Sequence, residues 1–269
     1  MLYISDFKKM KEAQKKITML TAYDYISGHI AEQSNVDIIL VGDSLGMVIQ
    51  GNKTTIDVTL QDMIYHAKAV RKGAMETFIL VDMPYMSYHL TLKETKANAA
   101  RIMIETGANA VKIEGASQSR LDTIKALLDC EIPVCAHLGL TPQSINKFGQ
   151  YSVQGKSDKA QDCIIKEAKH LEDSGTFMLV LECVPEKLGK AISKEVGIPV
   201  IGIGAGRYTD GQVLVWHDLL GLSKMTPKFV KQYSDTKVFI EEGIKRFVSE
   251  VKEGHFPSME QIYYPINEE

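Results

Sequence analysis

The stretch from Phe78 to Gly115 reads FILVDMPYMSYHLTLKETKANAARIMIETGANAVKIEG. It begins with an apolar run at Phe78 to Val81, continues with the spacing of an amphipathic helix at Lys93 to Thr106, and ends with a second apolar run at Ala110 to Ile113. Short apolar runs rich in β-branched residues are typical of buried strands. Strand, helix and strand in this order predict two parallel strands joined by a crossover helix.

The same alternation extends along the chain in both directions. Further strands are predicted at Ile17 to Ala22, Asp37 to Val41, Val134 to Ala136, Phe177 to Leu181 and Pro199 to Ile203, with an eighth at Gln212 to Trp216. Helical spacing recurs at Leu60 to Lys72, Ser119 to Leu128, Ser157 to Ser174 and Glu186 to Glu195, and helix C-caps are predicted at Gly73, Gly107, Gly175 and Gly197. About eight such units in 269 residues predict an α/β protein and favour a closed (β/α) barrel over an open doubly wound sheet.

A last helix is predicted from Asp235 to Gly254, where apolar residues form one stripe and charged residues form the other face. We expect this helix to close the barrel. The sequence contains no internal repeat, no low-complexity tract and no linker rich in proline and serine. Residues 1–269 are therefore expected to form a single barrel domain.

The composition is that of an ordinary globular protein, with 45% hydrophobic and 24% charged residues. A net charge of −3 provides no basic field for phosphate backbones, so no nucleic-acid partner is expected. Residues 1–16 contain neither the apolar segment of a signal peptide nor a membrane-spanning run, which predicts a cytoplasmic protein without a membrane partner. The four cysteines lack C-x-x-C spacing and are expected to be buried thiols.

Three carboxylates, Asp43, Asp82 and Glu114, stand where three consecutive predicted strands end. In a (β/α) barrel these strand ends form the rim that carries the active site, so the three side chains are expected to lie together. Each acid by itself could instead cap the following helix or pair with a nearby Lys or Arg. Three acids buried together without a counter-charge are unfavourable, which favours a bound cation, and ligation by oxygen alone points to Mg²⁺.

Further titratable residues are expected at the same rim. Lys112 shares a strand face with Glu114, where its ammonium is suited to a substrate carboxylate, an oxyanion or a structural ion pair with one of the acids. His137 ends the fifth strand and is either a site residue or a buried core histidine. Glu182 ends the sixth strand, and because burial can raise the pKa of a carboxyl group, it is the candidate general base.

Two loops at this rim are candidates for ligand contact. Gly202 to Gly206 contains three glycines whose backbone N–H groups are suited to an anion, but it comes after the seventh strand, too late for a dinucleotide fingerprint. Leu138 to Gly155 is too long for an ordinary βα turn. It is expected to be either a lid or a structural excursion that covers the barrel.

Several strings in this sequence resemble those of the ketopantoate hydroxymethyltransferase family. They occur in the expected order: TAYD at 21–24, VGDSLGM at 41–47, DMPYMSY at 82–88, HLGLTPQ at 137–143, LECVP at 181–185 and IGIGAG at 201–206. The resemblance implies a Mg²⁺-dependent (β/α)8 TIM barrel of the phosphoenolpyruvate mutase and isocitrate lyase type. It also implies hydroxymethyl transfer from 5,10-methylenetetrahydrofolate to 3-methyl-2-oxobutanoate, which yields ketopantoate for pantothenate and coenzyme A synthesis. The family further implies a homo-oligomer, commonly a decamer.

The family's residue roles, carried over by matching motif, fall on residues already singled out. The resemblance implies metal ligation by Asp43, Asp82 and Glu114, binding of the oxo acid by Asp43, Ser44, Asp82 and Lys112, and proton acceptance by Glu182. His137 is expected to support a ligand or to contact substrate. Two alternatives are a Mg²⁺-dependent lyase or mutase of the same superfamily that acts on a 2-oxo acid without folate, and a non-catalytic metal-binding scaffold.

Overall fold

The structure is a computed structural model that describes residues 1–224 and 226–264. Its strands are β1 Ile17–Thr21, β2 Ile38–Val41, β3 Phe78–Asp82, β4 Ala110–Glu114, β5 Val134–Gly139, β6 Met178–Glu182, β7 Val200–Ile203 and β8 Gly211–Leu214. Each strand pairs in parallel with the next, and β8 pairs with β1 to close the barrel. The predicted (β/α)8 barrel is confirmed.

Helices precede, connect and follow the strands. They are α1 Ile4–Glu12, α2 Tyr25–Gln33, α3 Leu45–Val48, α4 Leu60–Gly73, α5 Leu92–Thr106, α6 Gln118–Leu128, α7 Ile145–Phe148, α8 Asp158–Asp173, α9 Glu186–Glu195, α10 Trp216–Leu219 and α11 Thr236–Glu253. Capping boxes set where α4 and α5 begin, because the side chains of Thr59 and Thr91 accept from the third helical N–H of their helices. The sequence analysis missed α1 and α2, which are only nine residues long.

The barrel interior is layered along its axis. Alternate residues of a strand point inward, so Phe78, Leu80 and Asp82 of β3 share the inner face. The lower residues belong to an apolar cluster that also contains Phe7 and Met10 of α1, and the ring of Phe7 packs edge-on against Phe78 at 5.1 Å. On the inner faces of β3 and β4, the charged residues Asp82 and Lys112 therefore lie above apolar ones.

The glycine predictions were only partly right. Gly107 is the C-cap of α5 with a φ of 69°. Gly175 is also left-handed, one residue beyond the cap of α8. Gly73, however, is the last residue of α4, and a Cβ there would lie 2.1 Å from the carbonyl oxygen of Tyr25, so this glycine permits close packing of α4 against α2. Gly197 follows an extended cap residue and caps nothing.

The four cysteines are free thiols, but the prediction that they are buried was wrong for two of them. Cys135 lies in the barrel interior, and Cys183 is half-buried beside β6. Cys130 and Cys163 are exposed because they lie on the outward sides of the α6 C-terminal turn and of α8.

The chain forms two compact units. The first comprises residues 1–216 and 227–230 and contains the barrel strands. The second consists of the described residues of 217–226 and 231–269 and contains α11, where the predicted amphipathic helix forms but buries none of its residues. That this helix closes a single domain over 1–269 stays a prediction. No helix in the described residues is both long and apolar enough to cross a bilayer.

Candidate active site

Strand register brings the predicted charged residues together at the C-terminal rim. Asp82 of β3 is the direct partner of Lys112 in β4, and Glu114 of β4 is the partner of His137 in β5. These four residues are each no more than 5% exposed. Glu182 ends β6 one strand further on and pairs with Gly139. The structure therefore places these predicted residues on adjoining strand ends of the rim.

Asp82 and Lys112 form a buried ion pair with 2.8 Å between the Asp82 carboxylate and the Lys112 ammonium. Burial would lower the pKa of Lys112, but the negative charges of Asp82, Glu114 and Asp43 outweigh it and raise that pKa above its ordinary value. Lys112 is therefore protonated at neutral pH. Its second neighbour is His137 Nδ1, at 3.4 Å.

Asp43 lies in the turn that follows β2, and its backbone N–H donates to Asp82 Oδ2 at 3.1 Å. A Cβ at position 42 would lie 2.8 Å from Ser44 Oγ, so Gly42 leaves room for the Ser44 hydroxyl in this turn. Burial, and then the negative charges of Asp82 and Glu114, raise the pKa of Asp43 well above its ordinary value. The charge of Lys112 and the hydrogen bond from Gln143 lower this pKa, but they do not offset the burial and the two negative charges.

His137 lies between two carboxylates. Its Nδ1 is 3.3 Å from Glu114 Oε1, and its Nε2 is 3.3 Å from Glu182 Oε2. Burial and the charge of Lys112 lower the pKa of His137, but its contacts with the two glutamates raise it to about 9. Burial would raise the pKa of Glu114, but the hydrogen bond and charge of His137 lower it. His137 therefore connects the metal-ligand candidate Glu114 with the base candidate Glu182.

Ser44 lies beside Asp43, and its hydroxyl is 2.8 Å from the hydroxyl of Tyr23. Tyr23 was not predicted as a site residue, although it is part of the TAYD string at 21–24. The side chain of Glu182 is 17% exposed, whereas that of Glu114 is 4% exposed. Glu182 is thus the acid of this network that is most accessible from the rim.

Gln143 and Tyr88 are site residues that the sequence analysis missed. The Gln143 side chain donates from Nε2 to Asp43 Oδ2 at 2.8 Å and accepts from the Tyr88 hydroxyl at 2.6 Å. Its backbone N–H donates to Glu114 Oε2 at 3.0 Å. The only available signal was their position in the strings DMPYMSY and HLGLTPQ, because a neutral side chain on a loop carries no periodicity that would mark it.

The long tract after β5 faces this site at two points. It begins with a 3-10 turn, Pro142–Ser144, that carries Gln143, and it continues through α7. Further on, Tyr151 is near enough that burial and the charges of Glu182, Asp43 and Glu114 raise its pKa. The glycine loop Gly202 to Gly206 follows β7 at the same rim, with Gly204 and Gly206 left-handed. That the tract acts as a lid stays a prediction.

No three or more His, Cys, Asp or Glu side chains within 1–224 and 226–264 are arranged as a ready-made metal site. The acids are turned instead toward Lys112, His137 and Gln143, which supply the positive charge and the hydrogen bonds that they accept. Ligation of one metal ion by Asp43, Asp82 and Glu114 therefore stays a prediction.

Comparison with known proteins gives one family. A family model described as ketopantoate hydroxymethyltransferase matches residues 2–259. A protein of Bacillus cereus strain AH187 named 3-methyl-2-oxobutanoate hydroxymethyltransferase is 54% identical over 267 residues, covering 98% of this chain and 95% of that protein. One of the same name from Bacillus thuringiensis strain Al Hakam is 53% identical with the same coverage.

Solved structures with the same fold are much more distant in sequence. Phosphoenolpyruvate phosphomutase from Streptomyces platensis subsp. rosaceus has a TM-score of 0.61 at 12% identity, over 98% of this chain and 92% of that one. A phosphonopyruvate hydrolase complex with oxalate and Mg²⁺ has a TM-score of 0.61 at 10% identity, over 97% and 93%. 2,3-Dimethylmalate lyase, described as a member of the phosphoenolpyruvate mutase and isocitrate lyase superfamily, has a TM-score of 0.58 at 12% identity, over 98% and 93%. At these identities the likeness concerns the fold.

Proposed function

Since the chain belongs to the ketopantoate hydroxymethyltransferase family, we propose that its buried network of acids, Lys112 and His137 carries out that family's reaction. The chain is an enzyme that transfers a hydroxymethyl group to 3-methyl-2-oxobutanoate and forms ketopantoate in pantothenate biosynthesis. Membership over residues 2–259 disfavours the alternatives, a folate-independent lyase or mutase and a non-catalytic scaffold. The residue roles that follow are our proposal.

A divalent metal, Mg²⁺, is proposed at Asp43, Asp82 and Glu114. The donors present suit it, because hard divalent cations prefer carboxylate oxygens. The raised pKa of Asp43 supports the same assignment, since a positive charge here would relieve repulsion among the buried acids. A structure of the same fold was solved with oxalate and Mg²⁺. When bound, the metal supplies positive charge that stabilises an enolate oxygen.

Lys112 and Ser44 are proposed to bind the oxo acid. Lys112 is protonated and buried beside Asp82, so its ammonium is suited to hold the substrate carboxylate. The Ser44 hydroxyl is held by Tyr23 and can donate to a carboxylate or ketone oxygen. Asp43 and Asp82 would then bind the substrate indirectly, because they would hold the metal beside it.

Glu182 is proposed to accept the proton from C3 of the oxo acid. It must be ionised to do so, and His137 beside it can donate a hydrogen bond that holds the carboxylate in place. The electron pair of the broken C3–H bond enters the enolate, which attacks the one-carbon unit and forms the new C–C bond. The two bonds from that carbon to the nitrogens of the folate donor break, each nitrogen takes up a proton, and water supplies the oxygen of the hydroxymethyl group. We propose 5,10-methylenetetrahydrofolate as the donor, because the reaction requires a carbon at the oxidation level of formaldehyde.

Self-association is proposed from α11. Its apolar side chains are exposed, including Phe239 at 70% and Phe247 at 54%, and exposed apolar faces of this kind mark interaction sites. The family resemblance suggests a homo-oligomer, commonly a decamer. A cytoplasmic enzyme with small-molecule partners fits a biosynthetic role.

The convergence of Lys112, the three acids, His137 and Glu182 at one rim is the observation that supports this site. The test incubates the protein with 3-methyl-2-oxobutanoate and Mg²⁺ in D₂O, and NMR follows the C3 proton. We expect exchange in the wild type and at least about 100-fold slower exchange in Glu182→Gln. Wild-type exchange rates in Glu182→Gln would exclude it as the base. Formation of ketopantoate only on addition of 5,10-methylenetetrahydrofolate tests the donor.

A further inference from the structure

Every polar group of the Gln143 side chain has a protein partner. One hydrogen of the amide nitrogen is donated to Asp43 Oδ2 at 2.8 Å, and the other to the carbonyl oxygen of Met83 at 2.9 Å. The amide oxygen accepts from the Tyr88 hydroxyl at 2.6 Å. The residue is 4% exposed, so these hydrogen bonds are shielded from bulk water.

The partners fix which side of the amide faces which group. The carbonyl oxygen of Met83 can only accept, so the nitrogen has to face it. The Tyr88 hydroxyl accepts from the Glu114 N–H at 3.1 Å and donates to the Gln143 amide oxygen at 2.6 Å. A flipped amide would place its oxygen against the Met83 carbonyl oxygen and would lose the hydrogen bond that Nε2 donates to Asp43. The orientation of Gln143 is thus determined by the network itself.

Gln143 touches two of the three proposed metal ligands. Its side chain donates to Oδ2 of Asp43 and its backbone N–H donates to Oε2 of Glu114, although Asp43 follows β2 and Glu114 ends β4. Through Tyr88 it has a second link to the backbone of Glu114. Tyr88 is itself buried, and the Arg120 guanidinium lies 4.8 Å from its ring centroid.

We propose that Gln143 is a positioning residue of the metal site, which fixes the orientations of the Asp43 and Glu114 carboxylates so that a divalent cation meets preset donors. The inference rests on the proposed metal role of those acids. Because Gln143 belongs to the 3-10 turn Pro142–Ser144, it also ties the start of the long tract after β5 to the metal ligands. Displacement of that turn would then alter the metal site directly.

The test measures Mn²⁺ binding by electron paramagnetic resonance, with Mn²⁺ as the probe for Mg²⁺. We expect Gln143→Ala to weaken Mn²⁺ about 10-fold to 100-fold and to broaden the bound spectrum, as is typical when a group that orients a metal ligand is lost. The matched control is Gln150→Ala, which removes an exposed glutamine from the same tract. It should bind Mn²⁺ like the wild type.

Tyr88→Phe provides a second variant that keeps the ring and its packing. Loss of the hydroxyl removes the donor that orients the amide, and we expect Mn²⁺ affinity to fall about threefold to 10-fold. If folded Gln143→Ala binds Mn²⁺ with the affinity and the spectrum of the wild type, the role of Gln143 is overturned while the proposed metal site stands. If circular dichroism shows that Gln143→Ala is unfolded, wild-type Mn²⁺ binding in Tyr88→Phe overturns it. Absence of Mn²⁺ binding in the wild type would overturn the proposed metal site as well.

Discussion

The Lys112 ammonium lies 2.8 Å from the Asp82 carboxylate, and both side chains are 4% exposed. The pair is held by adjacent strands in direct register, so its geometry is set by the barrel and not by flexible loops. Lys112 is the buried lysine beside Asp82, and Asp43 lies within hydrogen-bond reach of the same acid. Substitutions at these positions should therefore separate metal binding from folding.

Asp82→Asn should weaken Mg²⁺ binding at least about 10-fold and reduce ketopantoate formation while the fold persists. The change removes the charge of one proposed metal ligand, which weakens binding. The fold should persist because the buried Lys112 ammonium still has the negative charges of Glu114 and Asp43 near it. Isothermal titration calorimetry with Mg²⁺ and circular dichroism provide the measurements. Asp129→Asn, at the exposed cap of α6, is the control. Unchanged Mg²⁺ affinity in folded Asp82→Asn would remove Asp82 from the ligand set.

Asp43→Asn should abolish tight Mg²⁺ binding and yet stabilise the metal-free protein. The pKa of Asp43 is raised in the folded state, so its ionisation at neutral pH opposes folding, and an uncharged amide removes that opposition. We expect Tm at pH 7 to rise by at least about 2 °C, which for a chain of this size corresponds to about 1 kcal/mol. Differential scanning calorimetry without metal measures it. A lower Tm than that of the wild type would contradict the argument.

The sequence predicted the barrel and its charged rim because both depend on periodic features. Strands such as β3 and β4 are continuous apolar runs, and the acids that end them are recognisable by position. Gln143 and Tyr88 were missed because their importance comes from contacts between residues far apart in the sequence, such as Gln143 and Asp43, which are 100 residues apart. No local pattern reveals which loop residue will meet which strand end.

The stability of the protein should fall in acid partly through His89. Its ring packs 5.3 Å from that of Tyr85 and 4.2 Å from that of Tyr88, and burial together with the Arg120 charge lowers its pKa to about 4. With a lowered pKa in the folded state, the unfolded chain takes up the proton first. The contribution of His89 is therefore full above a pH of about 6.5 and is lost as the pH falls toward 4.

We accordingly expect the decrease in Tm between a pH of about 7 and a pH of about 4.5 to be smaller in His89→Phe than in the wild type. Scanning calorimetry of metal-free protein over that interval measures the difference. His255→Gln, at a histidine whose side chain is 70% exposed, serves as the control and should follow the wild type. Equal losses in His89→Phe and wild type would show that His89 does not cause the acid sensitivity.

Phe239→Glu should reduce the size of the oligomer. Phe239 is 70% exposed on α11, and a charge on an apolar face that is buried between copies would disfavour association. Sedimentation equilibrium or mass photometry measures the assembly. Lys245→Glu, which changes a charged position of the same helix, is the comparison. An assembly of unchanged mass in Phe239→Glu would place the subunit contacts elsewhere.

The layered interior of the barrel also affects the route by which polar reactants reach the site. Beneath Asp82 and Lys112, inward-facing residues that the structure describes form an apolar cluster, in which Phe7 packs edge-on against Phe78. Polar reactants are therefore expected to reach Lys112 from the rim, because a path through the apolar end would remove their hydration without replacing it.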